Sequence, residues 1–225
     1  MENKLKAVVV LSGGMDSATA LYKAINDGYE VFAVSFDYGQ RHKKELEYAK
    51  ELCQNAGVSQ KTVDLTNITE LISNSALTNP DIEVPEGHYA QDNMKITVVP
   101  NRNMIMYSIA IGYAVNIGAS AIYVGVHAGD HAVYPDCRPE FVSELDRIAM
   151  VANEGFIKPE FKVIAPFVNI TKADIAKIGS ELGLPYELTW SCYKGGEIHC
   201  GKCGTCVERK EAFELAGVKD PTIYE

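Results

Sequence analysis

Basic charge is scarce in this sequence. Lys and Arg number 21 against 30 Asp and Glu, for a net charge of −9. A free-standing nucleic-acid binder ordinarily carries the opposite balance, so the composition favours a small-molecule substrate and argues against a nucleic-acid partner. Long apolar runs are missing too: none approaches the ~20 residues that span a bilayer, and no membrane partner is expected. Met1-Glu2-Asn3-Lys4-Leu5-Lys6 runs straight into an apolar stretch without a small-residue cleavage site, so the expected compartment is the cytoplasm. Internal repeats and low-complexity tracts are absent.

What remains is ordinary in bulk. The 225 residues suit one α/β domain with a small appendage and can bury a sizeable core. Of six cysteines, Cys53 and Cys137 stand alone while Cys192, Cys200, Cys203 and Cys206 cluster. In a cytosolic chain such a cluster reads as a metal site before a disulfide frame.

Along the chain, apolar runs predict strands at Ala7–Leu11, Glu30–Phe36, Lys61–Leu65, Ala121–Val126 and Lys162–Phe167. Helical spacing predicts a helix from Ser17 ended by Gly28, then Lys43–Ala56 capped by Gly57, Pro139–Asn153 and Cys206–Ala216. Asn103–Ile117 is apolar on nearly every side and predicts a helix buried all round, with Asn103 as its cap. Thr171–Leu182 predicts a helix capped by Thr171 with Asp174 in its first turn. Ser73 to about Lys95 loses all periodicity, as lids and binding loops do. The alternation gives the fold class: an α/β doubly wound, mostly parallel open sheet with helices on both faces. Residues 1–184 form that domain and residues 185–225 a C-terminal cysteine-bearing segment.

Ligands in such sheets bind beyond the carboxyl ends of the strands, and three polar clusters fall there. The first is the loop after Leu11, Ser12-Gly13-Gly14-Met15-Asp16-Ser17. It lacks the lysine of the phosphoryl-transfer loops. Its glycines allow backbone approach to a phosphate, and Ser12 and Ser17 can donate to one. Asp16 conflicts with that phosphate unless a Mg²⁺ bridges them; the alternative is a simple N-cap. The second cluster is Asp37-Tyr38-Gly39-Gln40-Arg41-His42. The third holds His127, Asp130, His131, Tyr134, Asp136 and Arg138.

Ser-Gly-Gly-x-Asp-Ser after a first strand resembles the PP-loop motif of the N-type ATP pyrophosphatases, whose fold is adenine nucleotide alpha hydrolase-like. Phe36–His42, Val99-Pro100-Asn101-Arg102-Asn103, Tyr134-Pro135-Asp136-Cys137-Arg138 and the C-terminal cysteines narrow the resemblance to the 7-cyano-7-deazaguanine synthase family. It runs from Val8 to about Arg209 and leaves the Ser73–Lys95 loop unmatched. The resemblance implies a ligase of queuosine precursor synthesis that takes 7-carboxy-7-deazaguanine, ammonia and ATP with Mg²⁺. It implies an adenylated carboxylate, then an amide, then activation of the amide oxygen and loss of water, in a homodimer. ATP is then expected on Leu11, Ser12, Gly13, Gly14, Met15, Asp16, Ser17, Ala18, Thr19, Ala20 and Leu21. Asp16, Ser17, Arg102 and Asp136 are the candidate catalytic residues. Arg41, Arg102, Asp130, Asp136 and Arg138 are candidates for substrate binding.

Residue chemistry supports parts of this. Asp136 can accept from a guanine-like amidine edge, and Arg102 or Arg138 can pair with a carboxylate bidentately; loop salt bridges are the alternative role. His42, His127 and His131 are candidate proton shuttles. Cys137 is a nucleophile only if the chain is a sulfur-transferring relative, while Cys53 sits on an apolar helix face and reads as core. Cys192-x7-Cys200-x2-Cys203-x2-Cys206 suits one tetrahedral structural Zn²⁺. His199 as fourth ligand and an iron–sulfur cluster are the alternatives. A nucleotide-sensing or zinc-ribbon module is the non-enzymatic reading.

Overall fold

Strand β1 (Lys6–Val10) fixes the architecture, because its residues are buried on both faces. Ala7 and Val9 enter one apolar cluster while Val8 enters the other, as the period of two requires. The computed structural model describes residues 4–88 and 92–225. Five parallel strands form one sheet in the order β3-β2-β1-β4-β5, with β2 at Glu30–Asp37, β3 at Ser59–Asp64, β4 at Ala121–Tyr123 and β5 at Lys162–Ile164. Val9 pairs with Ala33 on one side and Tyr123 on the other.

The helices divide between the faces. Those at Met15–Asn26 (α1), Lys44–Ala56 (α2), Lys172–Glu181 (α5) and Gly204–Ala216 (α6) cover the face of Ala7 and Val9 with Leu21, Leu52, Ile175 and Phe213. Those at Arg102–Asn116 (α3) and Pro139–Ala152 (α4) cover the Val8 face with Ala110, Ile111 and Leu145. The chain therefore leaves β1 toward one face and β4 toward the other. Their carboxyl ends form the topological switch point where such sheets open a crevice.

Several expectations need correction. The first helix begins at Met15, not Ser17, and is capped by Gly14; Asp16 lies inside the first turn and is not its N-cap. Asn103 does not cap α3: Asn101, with φ 58°, stands at that position and Asn103 is buried within the helix. Asparagine tolerates the left-handed conformation better than other residues with a Cβ. Nor is α3 buried all round, since Ser108, Gly112 and Asn116 are exposed. Strands β4 and β5 stop early, at Tyr123 and Ile164. The predicted Thr171 cap is present as a full capping box with Asp174.

The aperiodic loop is anchored over its described part. Ala76 and Leu77 are fully buried, and the Arg41 amide donates to the Leu77 carbonyl at 2.8 Å. Val84 packs among the cysteines, and the Gly87 amide donates to Lys202 at 3.1 Å. Residues 89–91 of this loop lie outside the described residues.

Candidate functional site

The crevice at the switch point has about 1140 Å³ of space, partly continuous with solvent. Two glycines let the backbone converge there. Gly13 has φ +97°, and a Cβ on it would collide with the Glu45 carbonyl oxygen. A Cβ on Gly125 would lie 2.9 Å from the Ser17 nitrogen, so the chain just beyond β4 rests directly on the first turn of α1. Backbone cannot yield there as a side chain can. Gly125→Ala is expected to lower turnover by about 10²-fold through displacement of the Ser12–Ser17 loop, read by steady-state kinetics beside an intact circular-dichroism spectrum.

The loop closes on itself. Ser12 and Ser17 hydroxyls lie 3.0 Å apart, Ser17 donates to the Gly14 carbonyl at 3.1 Å, and the Gly14 amide donates to Ser12 at 3.3 Å. Leu11, Ser12, Gly14, Asp16 and Ser17 line the crevice. Met15, Ala18, Thr19, Ala20 and Leu21 are instead buried in the packing around α1.

Asp16 anchors a chain of charges. Its Oδ2 lies 3.1 Å from Lys172 Nζ, which lies 2.6 Å from Glu208. Burial works against the charge on Lys172, but Asp16 and Glu208 hold its pKa above the ordinary lysine value. Burial raises Glu208, with Lys172 opposing. His127 Nδ1 accepts from the Gly129 amide at 3.1 Å, so its Nε2–H faces Asp130 at 3.5 Å and Asp16 at 3.8 Å. Asp16 Oδ1 is buried and has no hydrogen-bond partner. An orphaned carboxylate oxygen beside a glycine-rich loop has the chemistry to face a cation.

Across the crevice, Arg102 Nη1 donates to the Tyr38 hydroxyl at 3.3 Å. Burial pushes Tyr38 up to about 12 despite Arg102. Cys137 lines the wall, with Asn103 Nδ2 at 3.5 Å from its sulfur. Burial, then Asp130 and Asp136, push this thiol well up, which leaves it protonated and weakens a sulfur-transfer reading.

Of the expected substrate-binding residues, Arg102 and Asp130 reach the crevice wall. Three do not. Arg41 turns its guanidinium to the carbonyls of Pro80 and Asn79 at 2.7 and 3.3 Å. Arg138 Nε donates to His131 at 2.9 Å. Asp136 sits in the turn Pro135–Cys137, between two lining residues without being one.

The C-terminal segment supplies a wall. Trp190, Ser191, Tyr193 and Thr205 line the crevice, and the Trp190 amide donates to the Gly13 carbonyl at 2.9 Å. Behind them Cys192, Cys200, Cys203 and Cys206 are buried, with their sulfurs all within 4.8 Å of one another. Amides of Cys200 and Cys203 point at the Cys192 and Cys200 sulfurs at 3.4 and 3.3 Å. Four thiols with backbone donors around them fit a closed tetrahedral metal site. His199 is outside the cluster: its Nε2 accepts from the Ser191 amide at 3.1 Å, and burial, helped by Arg209, pushes it down to about 4.

Sequence reading missed Lys172, Glu208 and Glu45. A signal for Lys172 existed. It opens a helix, where the macrodipole disfavours a cation, and a residue placed against its local preference is often there for the site.

The whole chain has close relatives. Residues 6–217 match the family model described as queuosine biosynthesis protein QueC. A 7-cyano-7-deazaguanine synthase of Pseudoalteromonas translucida is 53% identical over 220 residues, covering 98% of this chain and 99% of the relative. One from Caldicellulosiruptor bescii is 54% identical over 221 residues, covering 98% of each. Among solved structures, a 4-thiouridine synthetase in complex with RNA and ATP shares the fold at 18% identity and a TM-score of 0.50, with 95% of this chain and 50% of that one covered. The glycine-rich loop at the switch point, the cysteine wall and this extended identity converge: the chain belongs to the QueC family of queuosine biosynthesis proteins.

Proposed function

We propose that the crevice converts 7-carboxy-7-deazaguanine and ammonia to 7-cyano-7-deazaguanine by adenylation of the carboxylate, formation of the amide and dehydration of that amide. One observation carries the ATP half of this reading. Asp16, in the first turn after the loop, pairs its Oδ2 with a lysine held protonated and leaves its Oδ1 buried without a partner. A carboxylate is a poor electrophile, and an acyl-adenylate gives it a good leaving group. The protein then needs to position, stabilise charge and exclude water.

In this reading the loop from Leu11 to Ser17 cradles the phosphates of MgATP, with Asp16 toward the cation and Ser17 donating to phosphate. Lys172 faces the charge that develops on the departing pyrophosphate. Arg102 and Asp130 orient the deazaguanine acid, and Asp136 acts through the turn that carries Tyr134 and Cys137. The four cysteines would hold Zn²⁺, which supplies a cross-link and no chemistry. Residues 185–225 work as a unit around it, in a cytoplasmic homodimer.

Mass spectrometry of products from the acid, ATP and ammonium tests the proposal. The nitrile is expected with AMP and pyrophosphate, and only when all three are supplied. Nitrile formed without AMP overturns it. Lys172→Gln is expected to lower kcat/KM for ATP by about 10²-fold. It also strands Glu208 without its cation, and a calorimetric loss of about 3–5 kcal/mol is expected.

A further inference from the structure

The proposed reaction leaves the nitrogen chemistry without an agent. Ammonia is ammonium at neutral pH, and an ammonium ion has no lone pair with which to attack an acyl-adenylate. Some group in the crevice must accept its proton. Several lining groups are unsuited. Lys172 is held protonated between two carboxylates. Tyr38 and Cys137 are pushed up by burial. His127 Nδ1 accepts from the Gly129 amide, so its Nε2, which is also buried without a hydrogen bond, carries the ring proton toward Asp16 and Asp130 and offers no lone pair.

His42 is different. It lines the crevice and is 3% exposed. Its Nε2 lies 3.4 Å from Glu45 Oε2, and its Nδ1 is buried with no hydrogen-bond partner. Glu45 also lines the crevice and is 8% exposed, one turn along at the start of α2. The carboxylate is itself fixed, because Gln40 Nε2 donates to Oε1 at 3.0 Å. Gln40 in turn accepts from the Tyr38 amide at 2.9 Å and donates to the Phe36 carbonyl at 3.0 Å. The end of β2 therefore sets the carboxylate, and the carboxylate sets the imidazole. Tyr193 packs its ring 5.2 Å from the imidazole, and the chain at Gly195 lies against the His42 Cα, so the C-terminal segment closes off the outer side. Gly13 of the phosphate loop rests on the Glu45 carbonyl, so the pair flanks the place where the adenylate would form.

A carboxylate that orients one ring nitrogen while the other is left bare and buried is the arrangement of a general base. We propose that His42, oriented by Glu45, is the base that takes a proton from ammonium as it enters the crevice. The N–H electron pair becomes the lone pair of ammonia, and the proton moves to His42 Nδ1. The lone pair forms the C–N bond at the adenylated carbon. The C–O bond to AMP breaks, and AMP leaves with that pair. The nitrogen sheds one further proton to water as the amide forms. The imidazolium, balanced by Glu45, then returns its proton to solvent. His42 is here a catalytic residue; Glu45 and Gln40 are positioning residues.

This rests on the adenylation reading, and the test separates the two. Exchange of labelled pyrophosphate into ATP, dependent on the acid, reports adenylation alone. Hydroxylamine, neutral at pH 7.5, reports acyl transfer without a proton to remove first. For His42→Asn, exchange is expected within about threefold of the parent and transfer to hydroxylamine likewise, while amide formation with ammonium falls by about 10²-fold or more. Added imidazole is expected to restore part of the His42→Ala loss. Glu45→Gln, which keeps the Gln40 contact, covers the case in which a His42 variant fails to fold, and the same split is expected. Equal losses with both nucleophiles, or no loss with ammonium, overturn the base. Loss of exchange in the parent protein overturns the adenylation reading instead.

Discussion

Asp16→Ala is expected to lower turnover by about 10³-fold or more while leaving the protein folded, with a thermal midpoint at or slightly above that of the parent. The two halves have one cause. Asp16 spends one oxygen on Lys172 at 3.1 Å and leaves the other buried without a partner. A buried acceptor left unpaired costs about 1–3 kcal/mol, so its removal offsets the lost ion pair. Lys172 keeps Glu208 at 2.6 Å and is not stranded. The fold gains nothing from that second oxygen; on the proposed reading its partner is the cation of the nucleotide. Pyrophosphate release and a thermal melt on the same sample check the prediction. A variant that melts ten degrees lower, or that turns over normally, shows that Asp16 is a structural residue and sinks the reading of the loop.

Removal of the metal expected at the cysteines should act in the opposite way, on structure first and on activity as a result. Binding of a structural Zn²⁺ contributes on the order of 10 kcal/mol. The loss falls on the segment that the cysteines tie together, whose local folding the metal would drive. The segment it would release carries Trp190, Ser191, Tyr193 and Thr205 of the crevice wall and the bond from Trp190 to Gly13. Chelation, or Cys203→Ser, is expected to abolish activity and to raise amide exchange across residues 189–206, while β1, β2 and α1 stay protected. Metal analysis should find about one Zn per chain. Full activity after metal is stripped would falsify the structural role.

Much of this was legible in the sequence because the signals are local. The unbroken apolar run of β1, the glycines of the loop, the Thr171–Asp174 box and the cysteine spacing each depend on a few neighbouring residues. Errors arose where local rules compete or where partners are distant. Met15 opens α1 because Gly14 can supply the extended cap geometry, so no capping side chain marks the start. Asn103 has the chemistry of a cap, but Asn101 already holds the left-handed turn before α3. Lys172 is paired with residues 156 positions before and 36 positions after it, at Asp16 and Glu208. No periodicity reports such a pairing. Arg41 and Arg138 drew attention by charge, yet nearby carbonyls claim both guanidinium groups. The loop from Ser73 looked free because it lacks a repeat. Its anchors, Leu77 on Arg41 and Gly87 on Lys202, join segments with no common pattern.

The placement of β1 at the centre of the sheet has a consequence for synthesis. The Ser12–Ser17 loop comes well before β4 in the chain, and β4, which completes its support, begins at Ala121. The lysine follows at Lys172 and its counter-anion at Glu208. Pairings this distant form late. A nascent or prematurely released chain thus carries the loop without the cation that offsets Asp16 and without the wall at Trp190. On the proposed reading, use of ATP requires residues from both halves of the fold to be in place.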